Sequence, residues 1–436
     1  MAALNEVKLK KLVELRREFH AHAETGWTEF WTTAKIAGIL DSLGYKVLAG
    51  REMLNLESVM GRPSEEEIKV HIERALSQGA DSGWIERMDG YTGALGILDT
   101  GKPGPVLAFR FDIDAVDVSE AGDEKHRPFR EGFASMNENA MHSCGHDAHA
   151  TIGIGLAELL MERKDELTGI IKLIFQPAEE GVRGGKAVAE NGILDDVDYF
   201  LSAHVGMGIP SGNVAPSCRD FLCTTKFDVT YKGKAAHAGG APNEGRNALL
   251  AAASASLALA GIPPHKDGAT RINIGVLQAG TGRNVIPPKA LMKVETRGLT
   301  MDLNSYVYDR AMEAVSGAAA MYGVEMSMAS MGAAVDALSD KSLVDLVGEK
   351  ALLVEGITTL APEVSLGGSE DVSWMMRAVQ KRGGKAVYFV LGTDIAAGHH
   401  NEYFDLDESV LDYGPVLFAE LAVTLSVREI TGEGRS

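Results

Sequence analysis

Three cysteines in 436 residues are too few for a disulfide framework, and the odd count would leave one of them over. Cys144, Cys218 and Cys223 therefore suit a reducing compartment, and a cytoplasmic setting is expected. Cations are scarce as well. The chain carries 42 Lys and Arg against 61 Asp and Glu, a formal net charge of -19, which argues against nucleic acid or anionic membrane as partners because both require clustered positive charge. Long apolar runs are missing. The longest uncharged stretch, "ALLAAASASLALAGIPP", is mostly small side chains, falls short of a membrane span and fits a buried helix. The opening "MAALNEVKLKKLVELRREFH" lacks the uninterrupted apolar core of an export signal and reads as an amphipathic helix through Leu9, Leu12, Leu15 and Phe19. There are no repeats or low-complexity segments.

What is present is a 45% hydrophobic chain long enough for roughly two or three cores. Helical periodicity covers residues 27–44, and a charged helical insertion follows at about 51–90 with Pro63 and Ser64 ahead of an acidic first turn. Short β-rich runs ("TGALGIL", "PVLAFRFDID", "GIIKLIFQ", "DYFLSAHV") then alternate with helices, which implies an α/β domain with a largely parallel or mixed sheet. Near residue 218 the order changes to β-α-β-β-α-β, the ferredoxin-like arrangement, and from about 333 the earlier style returns. The expectation is a catalytic domain of residues 1–217 and 333–436, interrupted by a smaller lid-like domain at 218–332.

Chemistry concentrates in four segments. "MHSCGHDAHA" precedes an apolar helix, while "FQPAEEG", "SAHVG" and "AGHHNEYF" each follow or end a strand, where open α/β sheets keep their functional loops. Together they offer Cys144, His146, Glu180, His204 and His400, a thiolate, imidazole and carboxylate set suited to one or two divalent metals. Each segment alone has a plainer reading: His204 as a core histidine, "GHHNE" as a surface turn, Cys144 as a nucleophile flanked by histidines. The pair Glu179 and Glu180 diverges in an extended segment, so one carboxylate can bind metal while its neighbour acts as general base. That pairing points to amide hydrolysis.

The motifs "FRFDIDAVD", "MHSCGHDAHA", "FQPAEEG", "SAHVG", "GKAAHAG", "GRNVIP", "GGSED" and "GHHNEYF", in this order over nearly the whole chain, resemble the aminoacylase and carboxypeptidase family of metallopeptidases (peptidase family M20), in its amidohydrolase branch. The resemblance implies two divalent metal ions, Mn²⁺ first and Zn²⁺ as the alternative, bridged by Cys144 with His146, Glu180, His204 and His400 completing the shell. It makes Glu179 the base and gives His237 of the inserted domain the role of stabilising the oxyanion in a neighbouring protomer's site. Asn284 and Arg297 become candidates for holding the substrate amide and carboxylate. Asp112 either orients the site or is a structural carboxylate holding Arg110, and His142, Asp147 and His149 are expected to support the ligands or cap the helix. The implied reaction is hydrolysis of the amide of an N-acyl amino acid, foremost p-aminobenzoyl-glutamate, a folate breakdown product. The alternatives are a broader aminoacylase-type amidohydrolase and a non-catalytic partner subunit. A homodimer, or a heteromer with a related second chain, is the implied assembly.

Overall fold

The computed structural model describes residues 2–427, which divide into two compact units. One takes the chain up to Arg219, Ala337–Leu366 and the chain from Asp371; the other takes Asp220–Asp336 and Gly367–Glu370. The larger unit is built on an eight-stranded mixed sheet. Its four central strands, Ile170–Gln176, Val106–Asp112, Tyr199–Val205 and Lys385–Leu391, are neighbours in that order and all parallel. Their residues are buried nearly throughout, as expected of parallel strands covered on both faces. Lys46–Ala49 and Ala94–Asp99 extend one edge in antiparallel pairing, and the short Asn213–Ala215 and Thr359–Leu360 extend the other.

Because the four central strands run the same way, their carboxyl ends share one rim. The loops leaving that rim carry Asp114, Glu179 and Glu180, Gly206 and Met207, and His399 and His400. Helices His146–Glu162 and Val410–Ser426 pack across the sheet, where Phe109, Phe111, Phe389 and Phe418 meet mostly edge to face. The first helix, Glu6–Ala21, buries Leu12, Leu15 and Phe19, with Leu9 packed at the margin of the same core. In the insertion, Glu65–Ser77 starts from a Ser64 capping box and buries only Ile68 and Ala75, so most of this helix faces solvent.

The smaller unit folds as Cys223–Lys232, helix Ala248–Ala260, Thr270–Ala279, Lys289–Gly298, helix Met301–Tyr322 and Glu325–Ala334, in ferredoxin-like order. Its antiparallel sheet runs Glu325, Cys223, Lys289, Thr270 from edge to edge, naming each strand by its first residue. The third strand begins at Lys289 and not earlier, because Pro287 and Pro288 have no N–H for the ladder. Ala248, Ala251, Ala252 and Ala255 form the buried face of its first helix, as the small-residue run implied. Among the described residues no helix is long and apolar enough to cross a membrane.

A buried ionic network ties the first helix to the one that starts at His146. Arg16 Nε lies 2.8 Å from Asp147 and Arg16 Nη1 lies 3.0 Å from Asp405, while His20 bonds Asp147 through Nδ1 (2.7 Å) and Glu120 through Nε2 (2.9 Å). His126 reaches the same Glu120 oxygen at 2.7 Å, and Arg127 pairs with Asp405 and Glu408. Burial opposes charge on His20, yet Asp147 and Glu120 outweigh it and push its pKa up to about 9. With an unfolded value near 6.5, the stability from this ion pairing is full below that pH and is lost as pH rises through about 9, on the order of 3 kcal/mol. The unfolding free-energy difference between wild type and His20→Gln, measured by urea denaturation, should therefore be largest at pH 6 and shrink toward pH 9.5. A difference that stays constant with pH would contradict the charged state.

Candidate metal centre

Each rim loop has its own local reason for its shape. The loop Pro177–Gly185 turns sharply through Ala178 (φ 52°), Gly181 (φ 81°) and Val182 (φ 61°). Two of these are non-glycine residues in the left-handed region, a strain of about 1–3 kcal/mol each that persists only under outside restraint. The restraints are visible. The amide N–H of Ala178 donates to Glu29 Oε1 (2.7 Å), that of Glu179 to Asp114 Oδ1 (3.0 Å) and that of Glu180 to Asp114 Oδ2 (2.9 Å). At the far end the N–H groups of Gly184 and Gly185 donate to Asp371 Oδ2 at 3.1 and 2.6 Å. Gly184 must be glycine, since a Cβ there would lie 1.9 Å from the Pro177 carbonyl oxygen.

Cys144 and His146 sit at the start of the helix His146–Glu162, whose N-cap is Gly145. Gly145 has φ 88°, and a Cβ on it would fall 2.7 Å from Val205, so only glycine closes this turn. His400 is held at φ 63° with its N–H donating to the Ser143 carbonyl at 2.8 Å, which links the last rim loop to the cysteine segment.

These loops bring the expected ligands together. The ligand atoms of Cys144, Glu180 and His400 lie within 4.8 Å of one another, as do those of His146, Glu179 and Glu180. Cys144 Sγ is 3.5 Å from His204 Nε2, and His400 Nε2 is 3.3 Å from Glu180 Oε1. Both buried histidines commit Nδ1 to a backbone carbonyl and so turn Nε2 toward the cluster; burial opposes charge on His146, but Asp112 and Cys144 outweigh it and raise its pKa well above the usual range. His146 Nδ1 donates to the Asp114 carbonyl (2.9 Å) and His204 Nδ1 to the Val205 carbonyl (2.8 Å). His146 Nε2 and Glu180 Oε1 are buried without hydrogen-bond partners. An imidazole nitrogen and a carboxylate oxygen buried without hydrogen-bond partners, beside a thiol and further imidazoles, are what a divalent transition metal satisfies, so the residues fit the group.

The electrostatics of the cluster differ from residue to residue. Burial and the Glu180 carboxylate push the Cys144 thiol up, and burial with the neighbouring His149 and His399 holds His204 well below its usual range, leaving it neutral. Contacts with Cys144 and Glu180 raise His400 to about 10. The surplus of anionic groups around Cys144 thus already draws protons onto the exposed histidine.

Other residues resolve into supports. Asp112 pairs with Arg110 Nη1 at 2.8 Å, bonds His149 Nδ1 and lies 3.7 Å from His146 Nε2, so it both holds Arg110 and borders the ligands. His149 Nε2 accepts the Val205 N–H at 2.9 Å, so both ring nitrogens are committed and His149 braces two strand ends. Asp147 does both: its Oδ1 accepts the Ala148 N–H in the first turn of its helix at 2.8 Å, and its Oδ2 faces Arg16 and His20. His142 is buried, and burial lowers its pKa to about 3. His399, beside His400, lies in a ligand-atom group with Cys144 and His204, and its Nε2 accepts the Met207 N–H at 3.3 Å. Asp114 and Glu29 were not singled out from sequence. The doubled aspartate in "FDID" was the signal for the first, and Glu29 had none.

His237, Asn284 and Arg297 all belong to the smaller unit. His237 Nδ1 accepts the N–H groups of Gly239 (3.2 Å) and Gly240 (2.9 Å), which fixes Nε2–H as an outward donor on an exposed side chain. The Ala238 N–H donates to the Asn284 carbonyl at 2.9 Å, so these two residues share one end of the unit. Arg297 pairs in register with Thr224 at the opposite end of the strand that begins at Lys289, about 26 Å along it. Its guanidinium contacts Glu295 at 3.1 Å.

Comparison with known proteins follows the same lines. Residues 108–424 match peptidase family M20/M25/M40. The chain is 51% identical over 403 residues to one of the subunits of p-aminobenzoyl-glutamate hydrolase from Escherichia coli (strain K12), covering 92% of each. It is 50% identical over 416 residues to indole-3-acetyl-aspartic acid hydrolase of Enterobacter agglomerans, covering 94% of this chain and 95% of that one. Among solved structures, the aminobenzoyl-glutamate utilization protein of Klebsiella pneumoniae superposes with a TM-score of 0.83 at 43% identity, over 98% of this chain and 100% of that one. A Bacillus subtilis protein described as a dinuclear metal binding peptidase from the M20 family gives 0.65 at 25% identity, over 97% and 99%. With its family match spanning most of the sequence and its rim loops carrying the motifs of that family, this chain belongs to peptidase family M20/M25/M40.

Proposed function

We propose that this chain, a metal-dependent amidohydrolase of N-acyl amino acids, cleaves p-aminobenzoyl-glutamate to p-aminobenzoate and glutamate. The observation that carries the reading is that Cys144, His146, Glu180, His204 and His400 fall in overlapping ligand-atom groups that share Cys144 and Glu180, with Glu179 in one of them. These five residues would hold two divalent ions, Mn²⁺ by preference over Zn²⁺, with Cys144 contributing its thiolate; the dinuclear description of the B. subtilis relative supports the number. Bound there, the metal supplies Lewis acidity that polarises the scissile carbonyl and makes water more acidic. Glu179 takes the proton of the attacking water and delivers it to the leaving nitrogen as the C–N bond breaks. His237 donates its fixed Nε2–H to the developing oxyanion, Asn284 holds the amide and Arg297 pairs a substrate carboxylate.

His237 and Arg297 lie at opposite ends of one small sheet, which supports their serving two different sites across a dimer, with the smaller unit as lid and dimerisation domain. The E. coli relative is named as one subunit of its hydrolase, which supports a heteromer with a related chain as the alternative assembly. Cysteines without disulfides suit the cytoplasm.

A second reading is favoured by the 50% identity to the indole-3-acetyl-aspartic acid hydrolase. Both relatives' names describe an aromatic acyl group joined to an acidic amino acid, so the two readings share a pocket chemistry and differ in the acyl ring and side-chain length.

Chelation should abolish hydrolysis and Mn²⁺ or Zn²⁺ should restore it, while Glu179→Ala keeps metal stoichiometry and loses about 10²- to 10⁴-fold in kcat. Full activity after verified metal removal, or an active Glu179→Ala chain, would sink the mechanism. Mixing Glu179→Ala with His237→Ala chains should recover about a quarter of wild-type activity through hybrid dimers with one complete site; inactive verified hybrids would remove the shared-site arrangement. Under one metal loading, kcat/KM should be higher for p-aminobenzoyl-glutamate than for indole-3-acetyl-aspartate and N-acetyl amino acids. A reversal between the first two substrates selects the second reading, and equal rates on all three remove the folate assignment.

A further inference from the structure

We propose that Glu29 is a positioning residue for hydrolysis: by accepting the Ala178 amide it fixes the left-handed turn that aims Glu179. This rests on the reading of Glu179 as the base. Glu29 is fully buried and 149 residues away in sequence, on the junction between the first two helices, yet its Oε1 lies 2.7 Å from the Ala178 nitrogen. Its other oxygen takes the Thr92 hydroxyl at 2.6 Å, so the carboxyl is held from both sides.

Glu29 occupies the N-cap of the helix Phe30–Ser42 but does not cap it. Glu24 does that work, accepting the N–H groups of Trp31 (3.2 Å) and Thr32 (2.9 Å). Glu24 is balanced in turn by Arg74 of the insertion helix at 2.6 Å. An N-cap carboxylate normally satisfies its own helix; here the second glutamate releases the first to reach the rim loop. The segment "ETGWTE" thereby joins the charged insertion to the catalytic loop through Arg74, Glu24, Glu29 and Ala178.

The restraint matters because Ala178 is the residue whose left-handed φ of 52° sets the direction of the chain into Glu179. The same backbone is packed from below. A Cβ on Gly26 would lie 2.9 Å from the Ala178 Cα, so this glycine lets the helix junction approach. Without its acceptor the Ala178 amide would be a buried orphan, and the loop would relax toward a conformation that provides a partner. Burial, with Asp114 beside it, pushes the Glu29 pKa up, and glutamine keeps, at the same length, the oxygen acceptor that the Ala178 N–H requires.

Three variants of Glu29, followed by kinetics, metal stoichiometry and hydrogen exchange, decide the matter. Glu29→Ala should lower kcat by about 10- to 100-fold with KM within about threefold and unchanged metal stoichiometry. Glu29→Asp, one methylene shorter, withdraws the acceptor, should behave likewise and serves if the alanine variant does not fold. Glu29→Gln should keep kcat and the pH profile of wild type. In the metal-free chain, hydrogen exchange at the Ala178 amide should rise at least tenfold in Glu29→Ala or Glu29→Asp and stay protected in Glu29→Gln. Wild-type kcat in Glu29→Ala, loss of metal in place of kcat, or a glutamine variant as slow as alanine would each overturn the proposal. Glu179→Ala run in parallel separates the two claims: if it stays active the base is wrong, while Ala178 exchange still reports whether Glu29 holds the loop.

Discussion

Three consecutive amide N–H groups, those of Ala178, Glu179 and Glu180, are taken by two buried carboxylates, and the rest of the site depends on that capture. A loop with two non-glycine residues in the left-handed region does not hold itself. Each buried N–H left without an acceptor costs roughly 1–3 kcal/mol, so removing either carboxylate makes the observed turn unfavourable. The cost of burying Glu29 and Asp114 is offset by these same bonds and by the Thr92 hydroxyl and His146 ring that flank them. The acidic pair of the rim is therefore aimed by acids that are themselves hidden.

A parallel sheet makes this geometry available. Four adjacent strands pointing one way deliver four loops to one rim, and the side chains clustered there come from segments as far apart as Asp112 and His400. Below the rim, Arg110 links the sheet to its supports: Nε donates to Gln176 at 2.7 Å, while the guanidinium pairs with Asp112 and, at 3.3 Å, with Asp371. Asp371 in turn accepts the N–H groups at the end of the loop Pro177–Gly185. A buried arginine surrounded by these partners is a rigid strut, since breaking one contact strands a charge in a low-dielectric interior.

The alternation of strands and helices, the ferredoxin-like insertion and the ligand-bearing loops were legible in the sequence because period, Gly and Pro punctuation and residue type carry that information locally. Cys144, His146, Glu180, His204 and His400 could be grouped because each stood at a strand end or a helix start. Glu29, Asp114 and Asp371 act through backbone N–H groups of residues far away in the chain, and no local pattern displays such a partner. Asp147 shows the same limit in part: its place after His146 suggested a helix cap, which its Oδ1 provides at the Ala148 N–H, whereas Arg16 and His20, which take its Oδ2, lie more than a hundred residues earlier. The position of Arg297 relative to Asn284 likewise emerges only from strand register.

The most direct test of the metal centre is anomalous scattering from crystals of the manganese- or zinc-loaded protein, recorded on both sides of the metal absorption edge. Two peaks within bonding distance of Cys144, with His146, Glu180, His204 and His400 distributed around them, are the expected result. No peak among these residues, or a peak at the buried His20, Glu120 and His126 group in their place, would contradict it.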